Sequence, residues 1–406
     1  MSTENKMEAL RDASTISNGK KVVLGVQHTF TMFGATVLVP LITGLDISVA
    51  LLMAGIGTLL FHFITKNKVP VFLGSSFAFI APILAVAGMS DLSYAQGGLV
   101  VAGLIYLILA GLIYLFGVEK VIKFFPPVVT GPIIIVIGLK LAPTAISMAS
   151  ADWVLAIIAF SIVTAVSVFG KGFVKIIPVI IGLLATYVIA IVLGRVDFTP
   201  ITSAAWFGIP KFTIARFSMT GVMTVAPIAL ATMVEHIGDV LAIGATVDED
   251  FIKDPGLHRT LIGDGIATAL SAMVGGPANT TYSENTGVLA LTRVFDPVIM
   301  RIAAVFAIFL GIIPKLSGFI STIPLGIVGG ISIILFGMIA AVGTRTLVER
   351  AVDFTKSRNL IIAAVILVLG LGGAALPVNM GAASFTIEGM ALAAIVGIIL
   401  NKILPE

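Results

Sequence analysis

Over residues 47–65, 92–117 and 153–170, no Asp, Glu, Lys or Arg interrupts the chain. Runs of this kind match the roughly 20 apolar residues that a helix needs to cross the hydrocarbon of a bilayer. In lipid every peptide N–H and C=O must find a partner within the protein, so such runs are read as helices. The rest of the chain agrees. Of 406 residues, 58% are hydrophobic and 11% charged, against about 25% charged in a soluble domain. The fold class this predicts is an all-α polytopic membrane protein. The 42 glycines suit close helix packing and interrupted helices. With no cysteine, a disulfide, a thiol nucleophile and a cysteine metal site are all excluded. The net charge of +3 comes from basic loops and gives no reason to expect nucleic acid.

The hydropathy pattern divides the chain into fourteen transmembrane segments, at 21–42, 47–65, 69–88, 97–116, 124–147, 152–169, 174–194, 218–245, 258–275, 279–293, 297–313, 319–343, 359–376 and 386–403. Lys and Arg concentrate in alternate loops: Lys20 and Lys21 before the first segment, Lys66 and Lys68 after the second, Lys120 and Lys123 after the fourth, and Arg345 to Arg358 after the twelfth. The positive-inside rule places those loops, and both termini, in the cytoplasm. The polar residues 1–20 are expected to form a loose cytoplasmic tail.

Two segments cannot be continuous helices. The third opens with Val69-Pro70-Val71-Phe72-Leu73-Gly74-Ser75-Ser76-Phe77. The tenth follows Val274-Gly275-Gly276-Pro277-Ala278-Asn279. Gly and Pro break a helix, and a pair of broken segments at matching places in two halves marks the binding site of a secondary transporter. A second repeated pattern supports two halves. Pro126-Pro127 leads to Gly131 and Gly138, as Pro324 leads to Gly330 and Gly337. Seven segments per half is odd, so the halves are inverted relative to each other.

Ionisable residues inside such segments are functional candidates. Glu235 and Asp239 are four residues apart and share one helix face. An ionised side chain at mid-membrane costs about 2.5–3.5 kcal/mol, so both must serve a site or lie near a wet helix end. His236 points off that face and is read as packed. Glu284 follows the second break, where a helix starting near Ser283 aims free N–H groups into the site, or where Glu284 simply caps that helix. Phe77, beside the first break, can stack on a planar ring or pack within the protein. Gln27 and His28 bond to the broken segments or to neighbouring helices. No HExxH, phosphate loop or G-x-S-x-G occurs, and four histidines make a histidine-built metal site improbable. No cofactor and no enzyme activity are expected.

The run Glu284-Asn285-Thr286-Gly287-Val288-Leu289-Ala290-Leu291-Thr292-Arg293 resembles the signature of the nucleobase–ascorbate transporter family, [Q/E]-N-x-G-x-x-x-x-T-R. Gln27-His28 resembles that family's first-segment motif. Leu73-Gly74-Ser75-Ser76-Phe77-Ala78-Phe79 and Asn279-Thr280-Thr281-Tyr282 are similar to its bacterial uracil permease branch. The resemblance implies two inverted repeats of seven spans, with short antiparallel strands in spans three and ten. It implies a core domain (21–120 and 218–316), a gate domain (121–217 and 317–406) and the tail 1–20. It further implies substrate binding by Phe77, Glu235, Tyr282, Ser283 and Glu284, with Gln27, His28 and Asn285 in support. Proton coupling would fall to Glu235 and Asp239, in a homodimer of the bacterial cytoplasmic membrane. The chain departs from the branch at Asp239, where the relatives' pattern has histidine, and at Ser283, where it has glycine. A proton-coupled uracil symporter is the expected function, with a xanthine or other purine symporter as the alternative. Two carboxylates in the site argue against an anion transporter of similar fold.

Overall fold

The computed structural model describes residues 9–380 and 383–405; the side chains at 122, 283, 284, 378–380, 383–386 and 388 lie outside that description. In chain order the elements are α1 (Asn18–Thr43), α2 (Ile47–Ile64), β1 (Leu73–Ser75), α3 (Ile80–Met89), α4 (Leu92–Phe116), α5 (Val118–Ile122), α6 (Pro127–Lys140), α7 (Ala142–Ser150), α8 (Trp153–Phe169), α9 (Pro178–Val192) and α10 (Thr199–Ser203). They continue as α11 (Met219–Val225), α12 (Ala229–Val247), α13 (Leu257–Met273), β2 (Asn279–Thr281), α14 (Ser283–Thr292), α15 (Val298–Gly311), α16 (Pro314–Ser321), α17 (Leu325–Glu349), α18 (Ser357–Leu371), β3 (Ala375–Met380), β4 (Ala383–Glu388) and α19 (Gly389–Ile403).

Among the described residues, six helices are long and apolar enough to cross a membrane, or seven if the bent pair α15–α16 counts as one. The chain is a multi-pass integral membrane protein. Large apolar side chains such as Ile108, Leu115, Phe169 and Val192 stand exposed on its surface, as a lipid-facing belt requires.

Helix ends follow local chemistry. Asp46 Oδ1 accepts from Val49 N–H at 2.9 Å and starts α2. Asp91 Oδ1 does the same for Ser93 N–H at the start of α4. Gly44 takes the left-handed conformation that ends α1, at φ +80°.

Two groups of helices pack among themselves. In one, α13 lies along α4 and α2, and α15 along α2 and α1. In the other, α17 lies along α6, α7 and α8, and α18 along α6 and α19. Contact is close enough to require glycine. A Cβ on Gly103 would sit 2.6 Å from Gly265 O, and one on Gly265 would sit 2.7 Å from Gly103 O. Gly131, Gly138 and Gly330 are similarly pressed against backbone or side chains of neighbouring helices. Gly337 is not: a Cβ there meets nothing within 4 Å. Its place in the repeated pattern is therefore not explained by close packing.

Three further features were not anticipated. The β3–β4 hairpin, paired from Ala375↔Glu388 to Met380↔Ala383, replaces the helical ends expected at 375–376 and 386–388. At α15–α16 the chain bends by 79°. The segment expected to be loose is docked from residue 9 onward. Leu10 N–H donates to Arg293 O and Phe295 N–H to Leu10 O, both at 2.9 Å. Ala13 N–H donates to Asp296 Oδ2 at 2.7 Å, and Arg11 pairs with Glu249. Ala13 and Leu24 bury apolar surface against Val294 and Ile299. That small cluster supplies the apolar burial a polar-looking tail was not expected to have.

Candidate functional site

The two broken segments meet. β1 and β2 pair antiparallel in the register Leu73↔Thr281, Gly74↔Thr280 and Ser75↔Asn279. Ser76 N–H to Ala278 O (2.9 Å) and Tyr282 N–H to Phe72 O (3.1 Å) extend the pairing at its ends. A backbone this irregular survives inside a membrane protein only where its polar groups are satisfied or line a cavity. Neighbouring side chains complete the satisfaction. Thr58 Oγ1 accepts from Leu73 N–H at 2.9 Å. Thr268 Oγ1 accepts from Asn279 N–H at 3.1 Å, and Ser75 Oγ donates to Thr36 O at 2.9 Å. His62 Nε2 lies 2.8 Å from Val71 O and donates to it as the Nε2–H tautomer.

A helix starts from each strand and leads away from the junction. After β1 a 3₁₀ turn, Phe77–Phe79, runs into α3; after β2, α14 begins at Ser283. Among the described residues neither start has a side-chain cap, so first-turn N–H groups and the positive ends of two helix dipoles are present at the junction.

Tyr282 closes the junction. Its hydroxyl donates to Ser75 O at 2.9 Å. Its ring lies so close to Gly74 that a Cβ there would overlap it. Thr36 Oγ1, 3.5 Å from the same hydroxyl, holds α1 to the pair. Phe77 is half-buried. Its ring meets Phe336 of α17 edge to face, with centroids 6.2 Å apart and planes at 71°. Phe77 therefore sits where the two helix groups touch.

The carboxylates arrive on α12, which packs along α14 and β2. Glu235 and Asp239 are both half-buried. Thr281 Oγ1 donates to Asp239 Oδ2 at 2.7 Å, joining the carboxylate face of α12 to strand β2. The side chains of Ser283 and Glu284 lie outside the described residues; position 284 itself is in the first turn of α14. On the other side of that turn, Asn285 Nδ2 is 3.1 Å from His28 Nδ1 and 3.4 Å from His28 O, both on α1. An amide donor facing Nδ1 leaves the ring proton on Nε2. Gln27 is half-buried and its side chain makes no hydrogen bond among the described residues.

Behind Glu235 lies a pair that the sequence reading missed. His236 Nδ1 is 3.0 Å from Asp264 Oδ2 of α13, and both side chains are completely buried. Tyr106 and Phe61 present ring edges to His236 at 6.5 and 6.4 Å, and Tyr106 donates to Thr232 at 2.7 Å. His236 is packed, as expected, but against a carboxylate. A lone aspartate in the apolar stretch of α13 was the available signal for Asp264. The threonines Thr36, Thr58 and Thr268 carried none, because threonine in an apolar helix most often bonds its own backbone, whereas Thr281 fell within a motif that the resemblance had marked. Among the described residues, no group of His, Asp and Glu could hold a metal ion.

Discontinuous helices meeting at a polar junction, between two helix groups in a chain built for the bilayer, define a membrane transport protein rather than an enzyme. More particularly, the chain belongs to the nucleobase–ascorbate transporters. The model described as "Permease family" matches residues 19–379. A probable uracil permease of Haemophilus influenzae is 47% identical over 403 residues, 97% of this chain and 96% of the relative. The uracil permease of Escherichia coli K12 is 41% identical over 393 residues, covering 94% and 90%. Among solved structures, the transmembrane domain of the cyanobacterial bicarbonate transporter BicA superposes with a TM-score of 0.63 at 15% identity, covering 94% of this chain and 96% of that one. Murine Slc26a9, an anion transporter in the inward-facing state, gives 0.70 at 10% identity, covering 96% and 68%. At such identities the structural likeness shows a shared fold alone.

Proposed function

We propose that this protein is a proton-coupled symporter that imports uracil across the bacterial cytoplasmic membrane. The observation that carries this reading is the β1–β2 junction with Asp239 of α12 bonded to it at 2.7 Å. It gathers helix N-termini, a carboxylate face and the Phe77 ring at one place. Uracil is a planar ring with two N–H donors and two carbonyl acceptors. Glu235 and Glu284 accept from its ring N–H groups, N–H groups of the two helix starts donate to its carbonyls, and Phe77 stacks on its face. Relatives named uracil permeases, aligned over nearly the whole chain, support that choice of substrate.

In this reading the chain crosses the membrane fourteen times in two inverted repeats, with both termini in the cytoplasm. Residues 21–120 and 218–316 form the core, which carries the site. Residues 121–217 and 317–406 form the gate, against which the core moves to open the site to alternate sides, and a homodimer anchors the gates. The separate packing of the two helix groups, touching at Phe77 and Phe336, is in keeping with that movement. Glu235 carries the proton, with Asp239 passing it on.

The test is uptake of labelled uracil into proteoliposomes, competed with xanthine and thymine. Accumulation that unlabelled uracil suppresses and xanthine does not is the expected result. Suppression by xanthine instead makes the purine symporter the correct reading.

A further inference from the structure

At the opposite end of the molecule from the docked residues 9–13 is a cavity of about 350 Å³ that the transport site does not include. It lies between the α1–α2 turn, the first turns of α4, the segment joining α9 to α11, and helix α16. That joining segment is held in place. Thr213 N–H donates to Val274 O (3.1 Å), Arg216 N–H to Ser93 O (2.9 Å) and Gly208 N–H to Ile312 O (3.2 Å), so its backbone is fixed on three neighbours. The cavity is therefore built from anchored elements.

Its lining mixes polar groups with the apolar side chains of Leu45, Ile47 and Leu92, and its charges are balanced. Asp46 and Lys211 bring opposite charges, and Thr213, Ser317 and Ser321 bring hydroxyls. Lys211 has no ion-pair partner among the described residues. The decisive group is Gln96. It lines the cavity, is 2% exposed, and its Oε1 has no hydrogen-bond partner among the described residues. Burying an amide oxygen with nothing to accept from costs about 1–3 kcal/mol, so a donor from a ligand is the natural complement. The volume is at the small end of ligand sites.

We propose that this cavity is a second, outer binding site for the nucleobase, occupied before the ligand reaches the β1–β2 junction. This rests on the uracil reading above. A small neutral ring that offers both N–H donors and carbonyl acceptors matches the lining. Gln96 Oε1 accepts from a ring N–H and Lys211 donates to a ring carbonyl. An anion would meet Asp46, and a cation Lys211, so neither charged class fits as well. Helix α16 forms one wall and follows the 79° bend after α15, on the way to α17. The outer site thus borders the link between the two helix groups.

Fluorine NMR with 5-fluorouracil and the full-length protein in nanodiscs tests this. The wild type should show two bound resonances. Glu284→Gln should remove one, and Gln96→Leu or Lys211→Ala the other, with the Lys211 change guarding against a folding defect at Gln96. Outer-site variants should also raise the KM for uptake several-fold while the remaining resonance is unchanged. A single bound resonance lost in Glu284→Gln overturns the proposal and leaves the transport reading intact. Two resonances that both survive Gln96→Leu and Lys211→Ala overturn it as well. No bound resonance in the wild type would sink the uracil reading, and the outer site with it.

Discussion

Thr281 and Tyr282, neighbours on one strand end, do different work. Thr281 joins β2 to the carboxylate of Asp239, whereas Tyr282 fastens β2 to β1 through Ser75 O. A hydrogen bond to a charged group contributes about 1.5–3 kcal/mol, and one between neutral groups about 0.5–1.5 kcal/mol. Thr281→Val should therefore cost more than Tyr282→Phe, and the loss should be felt in transport, since the Asp239 carboxylate loses its bond to β2. Uptake rate and melting temperature measured on both variants check this; a larger transport defect in Tyr282→Phe would contradict it. For Glu284, replacement by Gln keeps the shape but turns one acceptor into a donor. The mismatched contact costs about 1–3 kcal/mol, or roughly tenfold or more in uracil affinity. Titration calorimetry showing wild-type affinity would remove Glu284 from the site.

Among the elements, α17 separates two glycines that hold successive places in one copy of the repeated pattern. Gly330 lies against the backbone of Ala156 on α8, and a Cβ on Gly337 meets nothing within 4 Å among the described residues. Gly330→Ala overpacks a rigid contact and should lose about 1–3 kcal/mol. Gly337→Ala gains helix propensity and should be neutral or stabilising by up to about 1 kcal/mol. Melting of the purified variants decides between them. The start of α8 gives a pH-dependent case. Asp152 Oδ1 accepts from Leu155 N–H at 3.2 Å, and Arg195 donates to Oδ2 at 2.5 Å. Burial pushes the Asp152 carboxyl up, but Leu155 N–H and the Arg195 guanidinium outweigh it and hold the group below the usual carboxylate range. A carboxyl so lowered stabilises the fold above about pH 4, and the contribution fades as pH falls through its folded value. Asp152→Ala should cost about 0.5–2 kcal/mol at neutral pH, with the gap from wild type closing in acid. A gap that widens in acid would show that the cap is not the cause.

Apolar runs placed the helices, and Gly and Pro placed both breaks, because these depend on composition along a few residues. The pairing of β1 with β2 came only with the family resemblance, since three-residue strands distant in the chain leave no periodicity. The His236–Asp264 pair was hidden for a related reason. Each partner looks ordinary within its own helix, and only the packing of α12 and α13 brings them together. The docking of Leu10 depends on backbone groups, which every residue carries, so no side-chain pattern announced it.

For the molecule as a whole, the proposed coupling would draw on free energy stored across the membrane. One proton crossing 100 mV supplies about 2.3 kcal/mol, enough for roughly fiftyfold accumulation of a neutral substrate at about 1.36 kcal/mol per decade. With the proton on Glu235, Glu235→Gln should abolish accumulation while allowing exchange. Uracil-driven proton movement into liposomes measures this directly. If the variant keeps the wild-type ratio of proton to uracil, the proton travels elsewhere, and the buried Asp264 becomes a candidate beside Asp239.

The pairing of β1 with β2 also sets a timetable for biosynthesis. The ribosome delivers β1 roughly two hundred residues ahead of its partner, which at about 5–20 residues per second is an interval of about 10–40 s. Throughout that interval the first half is already threading into the bilayer, and the strand-pairing groups of β1, with Phe72 C=O and Ser76 N–H at its ends, lack the strand that will satisfy them. The β1–β2 junction is consequently among the last parts of the protein to take shape. A nascent chain halted before Asn279 carries an open strand edge in the membrane, which quality-control proteases can recognise.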